Sequence, residues 1–306
     1  MKYFFAAAVN LLTMVSISFS QNTNGRAMIV HVNGEVQNLT SGNQILKIGS
    51  ILSLSDSIRL GKNASVTLLE WDGQLHLYTG SFRLRADSMR NEVIQKLIDQ
   101  NLQSQNWLET VKKGTQNNFR SGSGNQLNMI YPRNTRLRKA PSQLKWTDVD
   151  KPDTEFEVSL RCYENDIAFD ERTKSYSLNL SPDISIEAAR QYFWFVRDVY
   201  SELSEVPSAV GFYVLSSKEL DKLEKETKTI ESIMNYDTLS VAYQLLYANL
   251  LISYELYDEC KSLLDKLVKQ DNHNKLVYTF YAIVYDKMDM IMDSRKYIEY
   301  ADKYGN

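Results

Sequence analysis

The chain has two cysteines, three histidines and five prolines in 306 residues. So few thiols exclude a disulfide-dense scaffold, and no Cys-x-x-Cys pair exists to hold a metal or run redox exchange. No His-Glu-x-x-His occurs, so the usual helical zinc motif is missing. A Gly-x-Ser-x-Gly nucleophile elbow is absent as well. Gly61-Lys62-Asn63 comes nearest to a phosphate loop and lacks the hydroxyl that would hold magnesium. Asp148-Val149-Asp150-Lys151-Pro152-Asp153 begins like a calcium loop, but Pro152 takes a ligand place and no glycine turns it. Nor is there a dominant charge: 35 basic and 38 acidic side chains leave a formal net charge of -3, which gives no argument for nucleic acid. No catalytic residue, metal ligand or cofactor is assigned on these grounds, and the expectation is a non-catalytic protein.

Long apolar runs are equally scarce, and the one that stands out is at the start. Lys2 precedes a run from Phe4 to Phe19 that closes on Ser18-Phe19-Ser20. One positive charge, a short apolar segment and small residues before the cut describe a secretory signal peptide over 1–20. Export follows, to the periplasm or the cell envelope. Every later hydrophobic stretch is interrupted by charge, so no transmembrane helix is expected after cleavage.

Between Ala27 and Leu84 apolar residues alternate in short runs separated by turn residues. Met28, Val30 and Val32 lead to Asn33-Gly34, with Val36 expected to start the return strand. Asp72-Gly73 ahead of Leu75-His76-Leu77-Tyr78 is a strong hairpin signal, because both central positions must take positive φ. Gly34-Glu35-Val36, Ile48-Gly49-Ser50-Ile51-Leu52, Ser57-Ile58-Arg59-Leu60-Gly61 and Asp72-Gly73 together resemble the FecR-type β domain of bacterial envelope proteins. Leu60 stands where that family usually has Thr. The resemblance implies a small β sandwich or roll over 26–86. The cytoplasmic segment and membrane helix of the sigma-regulating members have no counterpart, so their function is not carried over.

The period then changes. Met89, Val93, Ile94, Leu97, Ile98, Leu102, Leu108 and Val111 recur at three- and four-residue steps and form one stripe of an amphipathic helix over 87–115. Residues 116–126 are polar and turn-rich and read as a linker. Short strands with interspersed aromatics follow, among them Phe156-Glu157-Val158-Ser159-Leu160 and Tyr192-Phe193-Trp194-Phe195-Val196. Tyr131-Pro132-Arg133-Asn134, a Trp soon after and the later Tyr-x-Trp-x-Val are similar to fibronectin type III or immunoglobulin-like modules, implying a β sandwich over 127–215.

From Ser216 the pattern is helical, opening on a capping box of Ser216 and Glu219. Gln244 and Tyr278, Tyr247 and Tyr281, Ala248 and Ala282, Cys260 and Ser294, Leu264 and Ile298 pair at a constant stride. The run of small and large positions resembles the tetratricopeptide repeat and implies stacked helical hairpins over 216–306. Asn272 stands where Pro is usual, and Leu267 is bulkier than the usual Ala. The expected class is thus multidomain β plus α: a β sandwich or roll, an amphipathic helix, an immunoglobulin-like sandwich and a C-terminal helical repeat.

The repeat resemblance turns Leu245, Asn249, Ile252, Leu276, Thr279, Ile283 and Asp286 toward a groove. An envelope scaffold that holds a protein or peptide partner there is the first expectation. The second rests on a basic stretch without Asp or Glu: Lys112, Lys113, Arg120, Arg133, Arg136, Arg138 and Lys139. These would draw an anionic cell-wall polymer or glycan by Coulomb attraction, unless they are a solvated linker and edge strand.

Overall fold

A computed structural model describes residues 26–84, 92–114, 127–147, 154–164, 167–200 and 209–304, the side chains of 112–114 excepted. The segments expected to be a signal peptide, over 1–20, and a linker, over 116–126, lie outside the described residues. The fold is mixed: antiparallel sheets dominate the N-terminal half and helices the C-terminal part.

Eight short strands open the chain: β1 (Arg26–Asn33), β2 (Val36–Asn38), β3 (Gln44–Ile45), β4 (Ile51–Ser53), β5 (Ser57–Leu60), β6 (Ser65–Glu70), β7 (Leu75–Tyr78) and β8 (Phe82–Arg83). They form two four-stranded sheets, β4-β1-β6-β7 and β3-β2-β5-β8. Asp72-Gly73 does turn β6 into β7, but only Gly73, at φ 83°, takes the positive φ expected of both positions, and its N–H donates to the Glu70 carbonyl. The return expected from Val36 is not a return. Strand β1 already has β4 on one side and β6 on the other, so β2 crosses to the second sheet and pairs with β3 and β5.

Strand β1 explains how this unit joins the rest. Ala27, Met28, Ile29 and Val30 are all buried, although successive side chains point to opposite faces. Ala27 and Ile29 pack with Val66, Leu68 and Trp71 between the two sheets. Met28 and Val30, with Leu69, point the other way into a core built of helices.

The first of those helices is α1 (Glu92–Gly114), whose Ile94, Leu97, Ile98 and Leu108 are sealed from solvent. It lies between the first sheet and the C-terminal helices and touches both. Arg26 at the edge of β1 holds it with an ion pair to Asp99 at 2.6 Å.

Strands β9 (Asn128–Tyr131), β10 (Thr135–Leu137), β11 (Gln143–Thr147), β12 (Phe156–Cys162), β13 (Ile167–Thr173), β14 (Ser177–Asn179), β15 (Arg190–Asp198) and β16 (Val210–Val214) form the second β unit. Its sheets run β10-β16-β15-β12-β13 and β14-β11-β9, antiparallel except where β10 meets β16. The core between them is its own: Trp146, Phe156, Leu160, Tyr192, Trp194 and Phe212. Trp194 can be buried there because its indole N–H donates to the Pro132 carbonyl at 2.7 Å.

Helix α2 (Ser217–Ile233) begins on the capping box, with Ser216 accepting from the Glu219 N–H and Glu219 reaching back to the Ser216 N–H. Two hairpins follow, α3 (Val241–Ser253) with α4 (Tyr257–Gln270) and α5 (Lys275–Lys287) with α6 (Ile291–Tyr304). Both helices of the second pair start 34 residues after those of the first, Val241 to Lys275 and Tyr257 to Ile291. Contacts repeat with them. The Cys260 thiol meets the Ala248 carbonyl at 3.5 Å, and the Ser294 hydroxyl donates to the Ala282 carbonyl at 2.9 Å. Each hairpin turns on a left-handed residue at the same place, Glu255 at φ 60° and Asp289 at φ 57°.

Candidate functional site

The seven residues expected to line an open groove are mostly inside the protein. Leu245, Asn249, Leu276, Thr279 and Ile283 are buried, Ile252 is half-buried and only Asp286 is exposed. This corrects the groove expectation. The surface exists, but the chain's own earlier elements cover it. The Asn249 amide donates to the Leu97 carbonyl of α1 at 2.8 Å. Gly49, in the loop between β3 and β4, sits so close that a Cβ there would lie 2.9 Å from Leu276 Cδ2 and 3.3 Å from Leu245 Cδ1. The hairpins recognise a helix and a glycine loop, and both belong to this chain.

Three of the seven residues of the basic stretch are engaged inside the protein. Arg133, Arg136 and Arg138 form a strap across the turns of the helical hairpins. Arg133 donates to the carbonyls of Met288 at 2.6 Å and Asp289 at 2.9 Å, at the end of α5. Burial lowers the pKa of its guanidinium from the usual value, against the pull of Asp289, without discharging it. Arg136 pairs with Glu219 and stacks on the Tyr213 ring at 4.4 Å. Arg138 contacts both Glu259 oxygens at 2.9 and 3.1 Å and the Tyr247 hydroxyl at 2.7 Å. Cations engaged this way are poorly placed to gather polymer anions. Lys139 is exposed. The side chains of Lys112 and Lys113, and all of Arg120, fall outside the described residues.

One part of the expected groove stays open. At its α5 end a cleft of about 440 Å³ lies between the first β unit, α1 and the hairpins, and Leu276 and Thr279 line it. The β unit contributes the run from Gln44 to Ile51 with Asn38 and Asp56, α1 contributes Gln105, Asn106 and Glu109, and α5 contributes Asn274 and Lys275. Local structure sets each wall. Asn274 caps α5 by accepting from the Leu276 N–H at 3.0 Å, and its amide donates to the Ile48 carbonyl at 3.3 Å. Gln105, Asn106 and Glu109 come from the polar flank of the α1 stripe. Lys275 faces Glu109 across the cleft at 3.6 Å.

Apart from Leu276 and Thr279, these cleft residues were not singled out from sequence as site residues, since they come together only when three separate stretches meet. The signal that exists is weak: α1 carries amides beside an otherwise apolar stripe.

His31, His76 and His273 are exposed and scattered. Cys162 and Cys260 are buried and unbridged, and burial alone drives the Cys260 thiol far above its usual pKa. Among the described residues no group of three His, Cys, Asp or Glu could hold a metal ion, and no helix is long and apolar enough to cross a membrane. Compared with known proteins, the chain matches no family model and no curated protein.

Proposed function

We propose that this is an exported, non-catalytic scaffold of the bacterial envelope that holds a protein or peptide partner at the junction of its units. The units are read as a FecR-type β domain, a fibronectin type III or immunoglobulin-like module and tetratricopeptide-like hairpins. The constant stride of the hairpins and their repeated contacts support the last of these.

The observation that carries the reading is the cleft. It lies on the face of the hairpins that the repeat pattern assigns to recognition, and its walls combine amides, hydroxyls and balanced charges with the aliphatic Ile45, Leu46, Ile48, Ile51 and Leu276. Such a lining forms many directional hydrogen bonds and activates no nucleophile. The alternative, a cell-wall polymer or glycan binder, loses Arg133, Arg136 and Arg138 to internal partners.

The test is a photo-crosslinking amino acid at Gln105, in the cleft, and at Lys174, exposed on the far β unit, in living cells followed by fractionation. The expected result is a discrete protein adduct from Gln105 alone, in the envelope fraction. Identical adducts from both positions, or a protein retained in the cytoplasm, would remove the proposal.

A further inference from the structure

We infer that the cleft takes its partner as an extended peptide segment laid along the free edge of β3. The inference rests on the preceding reading of the cleft as the partner site and names what enters it.

Strand β3 is the terminal strand of the sheet β3-β2-β5-β8, so among the described residues one side has no neighbouring strand. Its pairing defines what that side presents. Gln37 lies opposite Ile45 and Asn38 opposite Gln44, while the Leu46 N–H donates to the Val36 carbonyl at 2.9 Å. In an antiparallel pair, residues alternate between bonding inward and outward. With Leu46 bonded to β2, Ile45 turns its N–H and carbonyl away from β2. Its side chain is 61% exposed, and the residue lines the cleft. A backbone donor and acceptor offered side by side are the pair that an added strand completes.

The facing walls fit the rest of such a segment. Gln105 and Asn106 present side-chain amides, which match a peptide's own donors and acceptors. Among the described residues Gln105 makes only a long contact of 3.4 Å to the Gly49 carbonyl, so it can be drawn to a better partner. Among the described residues that line the cleft, Lys47 and Lys275 are balanced by Asp56 and Glu109, so these walls ask for no net charge, and none is Phe, Tyr or Trp, the stacking platform a sugar ring would use. At about 440 Å³ it admits a few residues and not a folded domain. The two-residue length of β3 sets the same limit: it supports a short segment with uncharged polar or small side chains and blocks open-ended sheet growth.

Ile45→Pro isolates the claim. Proline removes the outward N–H and leaves the bonds to β2, and edge strands tolerate it. A random hexapeptide library would be selected against the immobilised full chain, and each winner titrated into 15N-labelled protein by NMR. The expected result is that winners shift the Ile45 amide and bind Ile45→Pro about tenfold more weakly or worse, with its thermal midpoint unchanged. Gln105→Ala with Asn106→Ala should weaken them as well. Winners that bind Ile45→Pro as tightly as the unaltered chain would overturn strand addition while leaving the cleft as a partner site. A selection that yields no binder at all would also overturn it, with the crosslinking experiment still deciding the broader reading.

Discussion

Gly49 shows how one backbone position ties two units together. It combines φ 89° with a contact that leaves no room for a methyl group against Leu276 and Leu245, both buried. Gly42 has a similar φ of 74° with nothing within 4 Å. Gly42→Ala therefore reads the left-handed penalty alone, about 1–2 kcal/mol, and Gly49→Ala should lose at least about 1 kcal/mol more through overpacking. Urea midpoints of the two variants check this, and equal losses would mean that the loop does not press on the hairpins. Asp258 makes a second residue-level case. Its Oδ2 is sealed and has no hydrogen-bond partner among the described residues. Burial, opposed by Lys261 and aided by Glu259, pushes its carboxyl up to about 7 from 3.8. Between those two values the folded state keeps a proton that the unfolded chain has released, so this group's contribution to stability falls as pH rises through that window. Asp258→Asn should therefore be more stable than the unaltered chain at pH 8, with the advantage shrinking toward pH 4. Thermal midpoints across that range check it, and a gap independent of pH would exclude the mechanism. Neither residue was marked in the sequence as special for these reasons, because both effects depend on neighbours more than a hundred positions away or on burial that periodicity does not report.

At the scale of elements, the sequence was most informative where one period ran long enough to be unambiguous. Of the stripe expected over 87–115, the members from Val93 to Val111 fall on α1 while Met89 lies outside the described residues, and the capping box at Ser216 opens α2. Strand pairing was less legible: Asn33-Gly34 looks like a hairpin turn, and only the occupancy of both edges of β1 shows why it is not. The groove residues were placed on the right helices and given the wrong surroundings, since periodicity names a face but not what covers it. Leu97 shows what does: its side chain is 1% exposed and its carbonyl accepts from Asn249. Leu97→Ala should destabilise by about 2–5 kcal/mol, and hydrogen exchange should quicken in β1 and α3 together. Faster exchange confined to α1 would show that it is only loosely lodged. The arginine strap was misread for a related reason, because a run of cations shows its sign and hides its partners. Arg133 is the strongest member, with a side chain only 11% exposed and hydrogen bonds to four groups. Charged hydrogen bonds of this kind are worth about 1.5–3 kcal/mol. Arg133→Ala should cost about that in denaturation. Arg133→Lys should recover little, as an ammonium cannot span both hairpin carbonyls and the β9 acceptors.

The whole molecule has fewer cores than its sequence has units. The first β unit keeps a core between its own two sheets, and through Met28, Val30 and Leu69 of one sheet it also joins the apolar cluster of α1 and α2 to α6, with Leu97, Leu245 and Leu276. The second β unit keeps a separate cluster and meets the hairpins through the arginine strap. Cooperativity follows shared burial, because losing either side of a common core exposes the other. The hairpins and the first β unit should therefore unfold as one, although more than a hundred residues of chain separate them. Tryptophan placement makes this measurable: Trp71 reports on the core between the sheets of the first β unit, Trp107 on the cluster shared with the hairpins, and Trp146 and Trp194 on the second β unit. With Trp146→Phe and Trp194→Phe, the remaining fluorescence should change at the same urea concentration as the far-ultraviolet helix signal. If helix signal is lost first while Trp71 stays buried, the first β unit stands without the hairpins. The cleft would then be a joint between independent domains, able to open, instead of a site whose three walls are held in place by one core.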